Sequence, residues 1–111
     1  ALTALLDTDE GSRSLGEVAL VPYDSPVSHT GILFCNTLYD ENAACHLALG
    51  ACYPENIAGG AEMNEEELAA NHGNDSAVHE DFMFGTRELS ADGITKDGQV
   101  IPVFRHGNFV W

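Results

Sequence analysis

Residues 15–34 read LGEVALVPYDSPVSHTGILF, and the rest of the chain is read outward from this stretch. An apolar run from Leu15 to Val21 is broken by Pro22, which has no amide proton to give to a strand ladder. Tyr23-Asp24-Ser25-Pro26 has the chemistry of a loop. Gly31 opens a second apolar run through Ile32, Leu33, Phe34 and Cys35 to Leu38. Two such runs around a proline turn predict an antiparallel strand pair. Leu15, Val18, Leu20 and Val21 do not alternate strictly, so the first strand is expected to be covered on more than one side.

Upstream, residues 1–14 begin with Leu2, Leu5 and Leu6 and then turn polar through DTDEGSRS. They read as an extended, partly mobile arm whose leucines pack against something. Downstream, Ala43 to Tyr53 carries two patterns. Its alanines and leucines allow a short helix ended by Gly50, and Cys45, Leu47, Leu49, Ala51 and Tyr53 alternate as in a strand. The turns on both sides favour the strand. Asn64 followed by Glu67 predicts a capping box at a helix start. Asp81 to Ser90 reads as a second short helix weakened by Gly85. Asp97-Gly98 between short apolar runs predicts a hairpin, and the tail from Gly107 to Trp111 is expected to add a strand or dock on a neighbour.

The chain has 111 residues, 18 acidic side chains and four basic ones, Arg13, Arg87, Lys96 and Arg105, for a formal charge of −14. Such a balance repels phosphate backbones and argues against direct nucleic-acid binding. No apolar run is long enough to cross a membrane as a helix, and no signal peptide is expected from ALTALLDTDEGSRS. Cys35, Cys45 and Cys52 match neither a zinc knuckle nor a paired disulfide framework. They read as small buried hydrophobes in a reducing compartment. Asn74-Asp75-Ser76 is a formal glycosylation acceptor.

The residue types offer little catalytic chemistry. Cys35, His79 and Asp81 can be nominated as nucleophile, base and orienting group, but no nucleophile elbow or reactive-cysteine context surrounds them. His72, His79 and Glu80 lie near Asp75 and Asp81, yet H-x6-H-E lacks the i, i+4 spacing that puts two histidines on one helix face. That segment is expected to be a solvated polar loop, with no catalytic, cofactor or metal site. The glutamates at 62, 65, 66 and 67 would repel a phosphate from the glycines before them.

Three stretches, in the same order, resemble the lambda-type head decoration (capsid cement) proteins of tailed bacteriophages. Leu15–Phe34 is similar to that family's opening pattern, close to LG-x-V…YD…x-GIL. Ala48–Leu68 is similar to its strand followed by V-N-E-x-x-L, here MNEEEL. Arg87–Ile94, RELSADGI, resembles its closing LR-x-x-GI. The residues from Thr95 onward exceed that pattern.

The resemblance implies an α+β, mostly β fold: a small antiparallel β-barrel or tulip-like domain with one or two short helices. Residues 1–14 would be an extended N-terminal arm, and residues 15–111 a single decoration domain with a C-terminal hairpin and tail. It implies a structural virion protein without enzymatic activity and without a cofactor, made in the bacterial cytoplasm. Such a protein binds the outer surface of the expanded head at local three-fold positions and holds it against internal DNA pressure. Its partners would be the major capsid protein and two further copies in a homotrimer, with no nucleic acid and no membrane. Leu2, Leu5 and Leu6 would anchor the arm on the capsid by strand addition. Phe104, Phe109 and Trp111 would make trimer contacts. The alternatives are a subunit of an extracellular filament that uses N-terminal strand complementation, and a free-standing small-molecule or metal binder.

Overall fold

The structure, a computed structural model, describes residues 1–110; Trp111, one of the expected trimer contacts, lies outside the described residues. In chain order the elements are α1 (Leu2–Leu6), β1 (Leu15–Ala19), α2 (Pro26–Thr30), α3 (Thr37–Asp40), β2 (His46–Gly50), α4 (Glu65–Ala70), β3 (His79–Met83), β4 (Ala91–Ile94), β5 (Val100–Arg105) and β6 (Asn108–Phe109). The strands form two three-stranded antiparallel sheets, ordered β1-β2-β3 and β4-β5-β6. The α+β reading is therefore right, but neither sheet closes into the expected barrel. The chain divides into two compact units, Ala1–Val18 with Leu47–Phe82, and Ala19–His46 with Met83 onward.

In the first unit β2 is the central strand. Gly50 N–H donates to Ser14 C=O at 2.8 Å, and Ala51 N–H donates to Val78 C=O at 2.6 Å. The strand expected between Ala43 and Tyr53 is present, and its deepest phase is His46, Ala48 and Gly50, with Leu47 and Leu49 half-buried. A strand covered on both faces needs no polar phase, which is why its apolar run fits helix and strand alike. The capping box forms as expected: Asn64 Oδ1 accepts from Glu67 N–H, and the Glu67 carboxylate accepts from Asn64 N–H, both at 3.0 Å.

The N-terminal segment is not an extended arm. Leu2–Leu6 is helical, and Gly11–Arg13 makes a 3₁₀ turn. Asp9 ties this segment down. Its carboxylate accepts from Ala77 N–H at 2.7 Å, from the Ser12 hydroxyl at 2.8 Å and from the Ser76 hydroxyl at 2.9 Å. The Ala77 amide, with help from these hydroxyls, holds the Asp9 pKa at about 2 against an ordinary 3.8.

In the second unit the run from Gly31 to Leu38 is not a strand. Gly31 caps α2 in the left-handed region, and Cys35 has φ +54°. The amides of Phe34 and Asn36 donate to the two oxygens of the Asp40 carboxylate, at 2.9 and 3.0 Å, instead of to a ladder. Ile32, Leu33 and Phe34 are exposed and not core, and Cys35 is exposed, while Cys45 is buried as expected. The expected helix from Asp81 to Ser90 is absent too. Its first residues continue β3, and Phe84 and Gly85 both donate to the Cys45 carbonyl, at 3.0 and 2.9 Å. A Cβ on Gly85 would lie 2.4 Å from the Cys45 nitrogen, so glycine is kept for close packing and not for helix.

The Asp97-Gly98 hairpin is present. β4 pairs with β5 with Ile94 opposite Val100, and Gly98 takes φ +84°. The tail adds β6, with Phe109 opposite Phe104. Phe104 is fully buried and meets Phe109 edge-on at a centroid distance of 4.4 Å, so the ring expected at a trimer contact is spent inside its own unit.

Two measurements check this packing. Phe104→Ala should destabilise the protein by about 3–5 kcal/mol in urea unfolding, the range for losing a buried aromatic ring. Because the folded Asp9 carboxyl titrates below its unfolded value, its contribution is complete above about pH 4 and is lost as the pH falls toward 2. Asp9→Asn should therefore lower Tm at neutral pH, and the gap to the parent should narrow as the pH falls from about 4 through 2 in a thermal melt series.

Candidate metal centre

Two strands of the first unit bring three ionisable side chains together. β1 carries Glu17, and β3 carries His79 and Asp81. A strand has a side-chain period of two, so His79 and Asp81 stand on one face and Glu80 on the other. His79 Nε2 lies 3.4 Å from Glu17 Oε2 and 3.4 Å from Asp81 Oδ1. One ligand atom from each residue falls within 4.8 Å of the other two.

The other ring nitrogen fixes the orientation. His79 Nδ1 lies 2.7 Å from the Ala51 carbonyl oxygen. A carbonyl only accepts, so Nδ1 carries the proton, and in the neutral ring the Nε2 lone pair faces the two carboxylates. The Tyr53 ring lies against the imidazole with a centroid distance of 4.8 Å and a tilt of 49°. Glu17 and Tyr53 also edge a surface groove of about 250 Å³, completed by Cys52, Asn56, Ile57 and His72.

Asp81 is the informative member. Its side chain is only 6% exposed, and its buried Oδ1 has no hydrogen-bond partner among the described residues. Such an oxygen is costly unless a charge or a metal compensates it. Two carboxylates and an imidazole nitrogen that donates its other N–H to a backbone carbonyl form a donor set suited to a divalent cation. Three protein ligands with room for water or substrate is the pattern of a catalytic zinc site.

The sequence-nominated residues divide accordingly. His79 and Asp81 converge. His72 follows α4 in a left-handed conformation and is exposed, as are Asp75 and Glu80. Cys35, the nominated nucleophile, is an exposed thiol in the second unit. Glu17 is absent from the sequence reading. The signal for the pair was H-x-D in a strand, and it was hidden by testing helical spacing.

Two carboxylates and an imidazole converging from a sheet are the kind of site that metallohydrolases use. The comparisons agree. The sequence profile of the family described as thermophilic metalloprotease (M29) matches residues 1–109. The chain belongs to that family. It is 59% identical over 110 residues to Aminopeptidase 2 of Geobacillus stearothermophilus and 56% identical over 110 residues to Aminopeptidase AmpS of Bacillus subtilis, in each case covering 99% of this chain and 27% of the relative. The solved structure of wild-type AmpT from Thermus thermophilus superposes with a TM-score of 0.87 at 50% identity, over 99% of this chain and 26% of that one. The chain thus spans about a quarter of the length of the relatives it matches.

These findings overturn the capsid reading. Family membership points to an enzyme and not to a structural virion protein, so the major capsid partner, the capsid homotrimer and the virion location fall with it. The leucines assigned to a capsid-binding arm sit instead in and at the end of α1, with Leu5 and Leu6 half-buried.

Proposed function

We propose that this chain carries metal-binding residues of an aminopeptidase. The observation that bears most weight is the buried Asp81 Oδ1, without a hydrogen-bond partner among the described residues, facing His79 Nε2 with Glu17 beside them. Family membership and the names of the relatives support the reading.

Glu17, His79 and Asp81 would hold the ion. When bound, a divalent cation supplies Lewis-acid polarisation of a scissile carbonyl and an activated water. The protein's part is to present the ligands. The Ala51 carbonyl holds the imidazole by Nδ1–H, and Tyr53 limits its rotation from one side. Glu17 and Asp81 bring two negative charges to balance the cation. The groove next to Glu17 and Tyr53 offers a place for the first residue of a peptide. Its protonated α-amino group suits a surface with a net charge of −14, which raises the local concentration of cationic substrate ends.

The test couples binding to turnover. Isothermal titration with Zn²⁺ should show the parent binding and His79→Ala and Asp81→Asn weakened at least about tenfold, the scale on which ligand and outer-shell losses act. In the complete protein, the same substitutions and chelation should each abolish hydrolysis of an aminoacyl p-nitroanilide. Metal affinity unchanged by loss of His79 would refute the assignment.

A further inference from the structure

We infer that Asn74 is a positioning residue for the metal centre, acting through Ala51 on the tautomer of His79. The inference rests on the metal-site reading above and adds to it how the imidazole is aimed.

The structure brackets Ala51 from both sides with one residue. The Asn74 side-chain Nδ2 donates to the Gly50 carbonyl at 2.5 Å, and the Asn74 backbone carbonyl accepts from Cys52 N–H at 2.8 Å. A second Nδ2 hydrogen bond, 2.9 Å to the Gly11 carbonyl, fixes the amide against the N-terminal segment. From the same two peptides, Ala51 N–H donates to Val78 C=O at 2.6 Å, and Ala51 C=O accepts from His79 Nδ1 at 2.7 Å. Gly50–Cys52 is thus held by hydrogen bonds to Asn74 and to Val78-His79.

The backbone here could not settle for a different geometry. Gly50 has φ +102°, and a Cβ on it would lie 1.9 Å from the Val78 carbonyl oxygen. The chain turns out of β2 in a conformation open to glycine and must be held there by its partners. Asn74 shares that hold with the Ser14 and Val78 carbonyls. With it in place, the Ala51 carbonyl points at Nδ1, the proton stays on Nδ1, and Nε2 remains a ligand atom. Without the Nδ2 hydrogen bonds, the Gly50 and Gly11 carbonyls lose that donor, and the Ala51 carbonyl is held only through the Cys52 N–H bond to the Asn74 backbone, whose own tie to the N-terminal segment is gone. As the Nδ1 acceptor shifts, the Glu17 and Asp81 carboxylates remain beside Nε2 to accept its proton, and proton occupancy of Nε2 competes with the metal. Both amide protons of the Asn74 side chain are already committed, so its place in a glycosylation triplet is incidental.

The experiment uses metal-free protein with ¹⁵N-labelled histidine. Long-range ¹H–¹⁵N spectra at alkaline pH report which nitrogen of His79 is protonated, and Zn²⁺ titration reports affinity. The parent should show Nδ1–H. Asn74→Ala should give a mixture of tautomers and bind Zn²⁺ about 10–100-fold more weakly, the usual cost of losing an outer-shell partner. Asn74→Ser, which leaves the backbone carbonyl and a small hydroxyl, should fall between the two, and it takes over the test if the alanine variant does not fold. The inference is overturned if the parent carries its proton on Nε2, if a folded Asn74 variant keeps the parent tautomer, or if its Zn²⁺ affinity stays within about twofold. Should the parent bind no Zn²⁺ at all, the metal assignment fails, and the tautomer spectra alone still decide the role of Asn74.

Discussion

The exit of the chain from β2 is the constraint on which the first unit depends. Gly50 must be glycine because both its φ and its distance to Val78 leave no room for a side chain. That close approach lets the Ala51 amide reach the Val78 carbonyl and brings the next residue, His79, under the Ala51 carbonyl. A hydrogen-bonded pair of short segments, not a large apolar core, sets where the imidazole sits. In the first unit, Ala48 and Val78 are the buried apolar side chains among the described residues. A unit with so little core has to place its polar groups through hydrogen bonds.

The same economy explains the N-terminal segment. DTDEGSRS has the composition of a mobile tail, yet Asp9 collects one amide and two hydroxyls, and Ser12 is fully buried beneath it. Each partner stabilises the charged carboxylate, which is why its pKa is low. The second unit follows a different rule. It packs aromatic rings, Phe104 on Phe109, beneath an antiparallel hairpin. Its loop from Ile32 to Tyr39 holds large apolar side chains outward on a frame of side-chain hydrogen bonds to Asp40, Asn36 and Asn42.

The capsid resemblance failed for a physical reason. A strand opening in LG-x-V, a glycine before an apolar run and a capping box before a leucine are local solutions that many unrelated folds reach. Three of them in order carry less information than identity of 50–59% sustained along the whole chain. The motifs described strand starts and helix starts correctly at Leu15 and Asn64, and those features say nothing about chemistry.

Local signals with a local cause were legible in the sequence alone. Asn64 with Glu67 determined a helix start and Asp97-Gly98 determined a hairpin, because each acts through backbone atoms a few residues away, whereas β1 ends at Ala19, short of Pro22. Gly31–Leu38 was misread because a side chain competes with the ladder, the Asp40 carboxylate taking the Phe34 and Asn36 amides, and Asp81–Ser90 because a distant partner decides it, the Cys45 carbonyl taking the Phe84 and Gly85 amides. The metal centre was hidden for the same reason. Glu17 and His79 are 62 positions apart, and only the ordering of β1 and β3 on either side of β2 lets their side chains meet. His-x-Asp has meaning on a strand and none on a helix, so the site became visible only once tertiary pairing had settled which of the two the segment is.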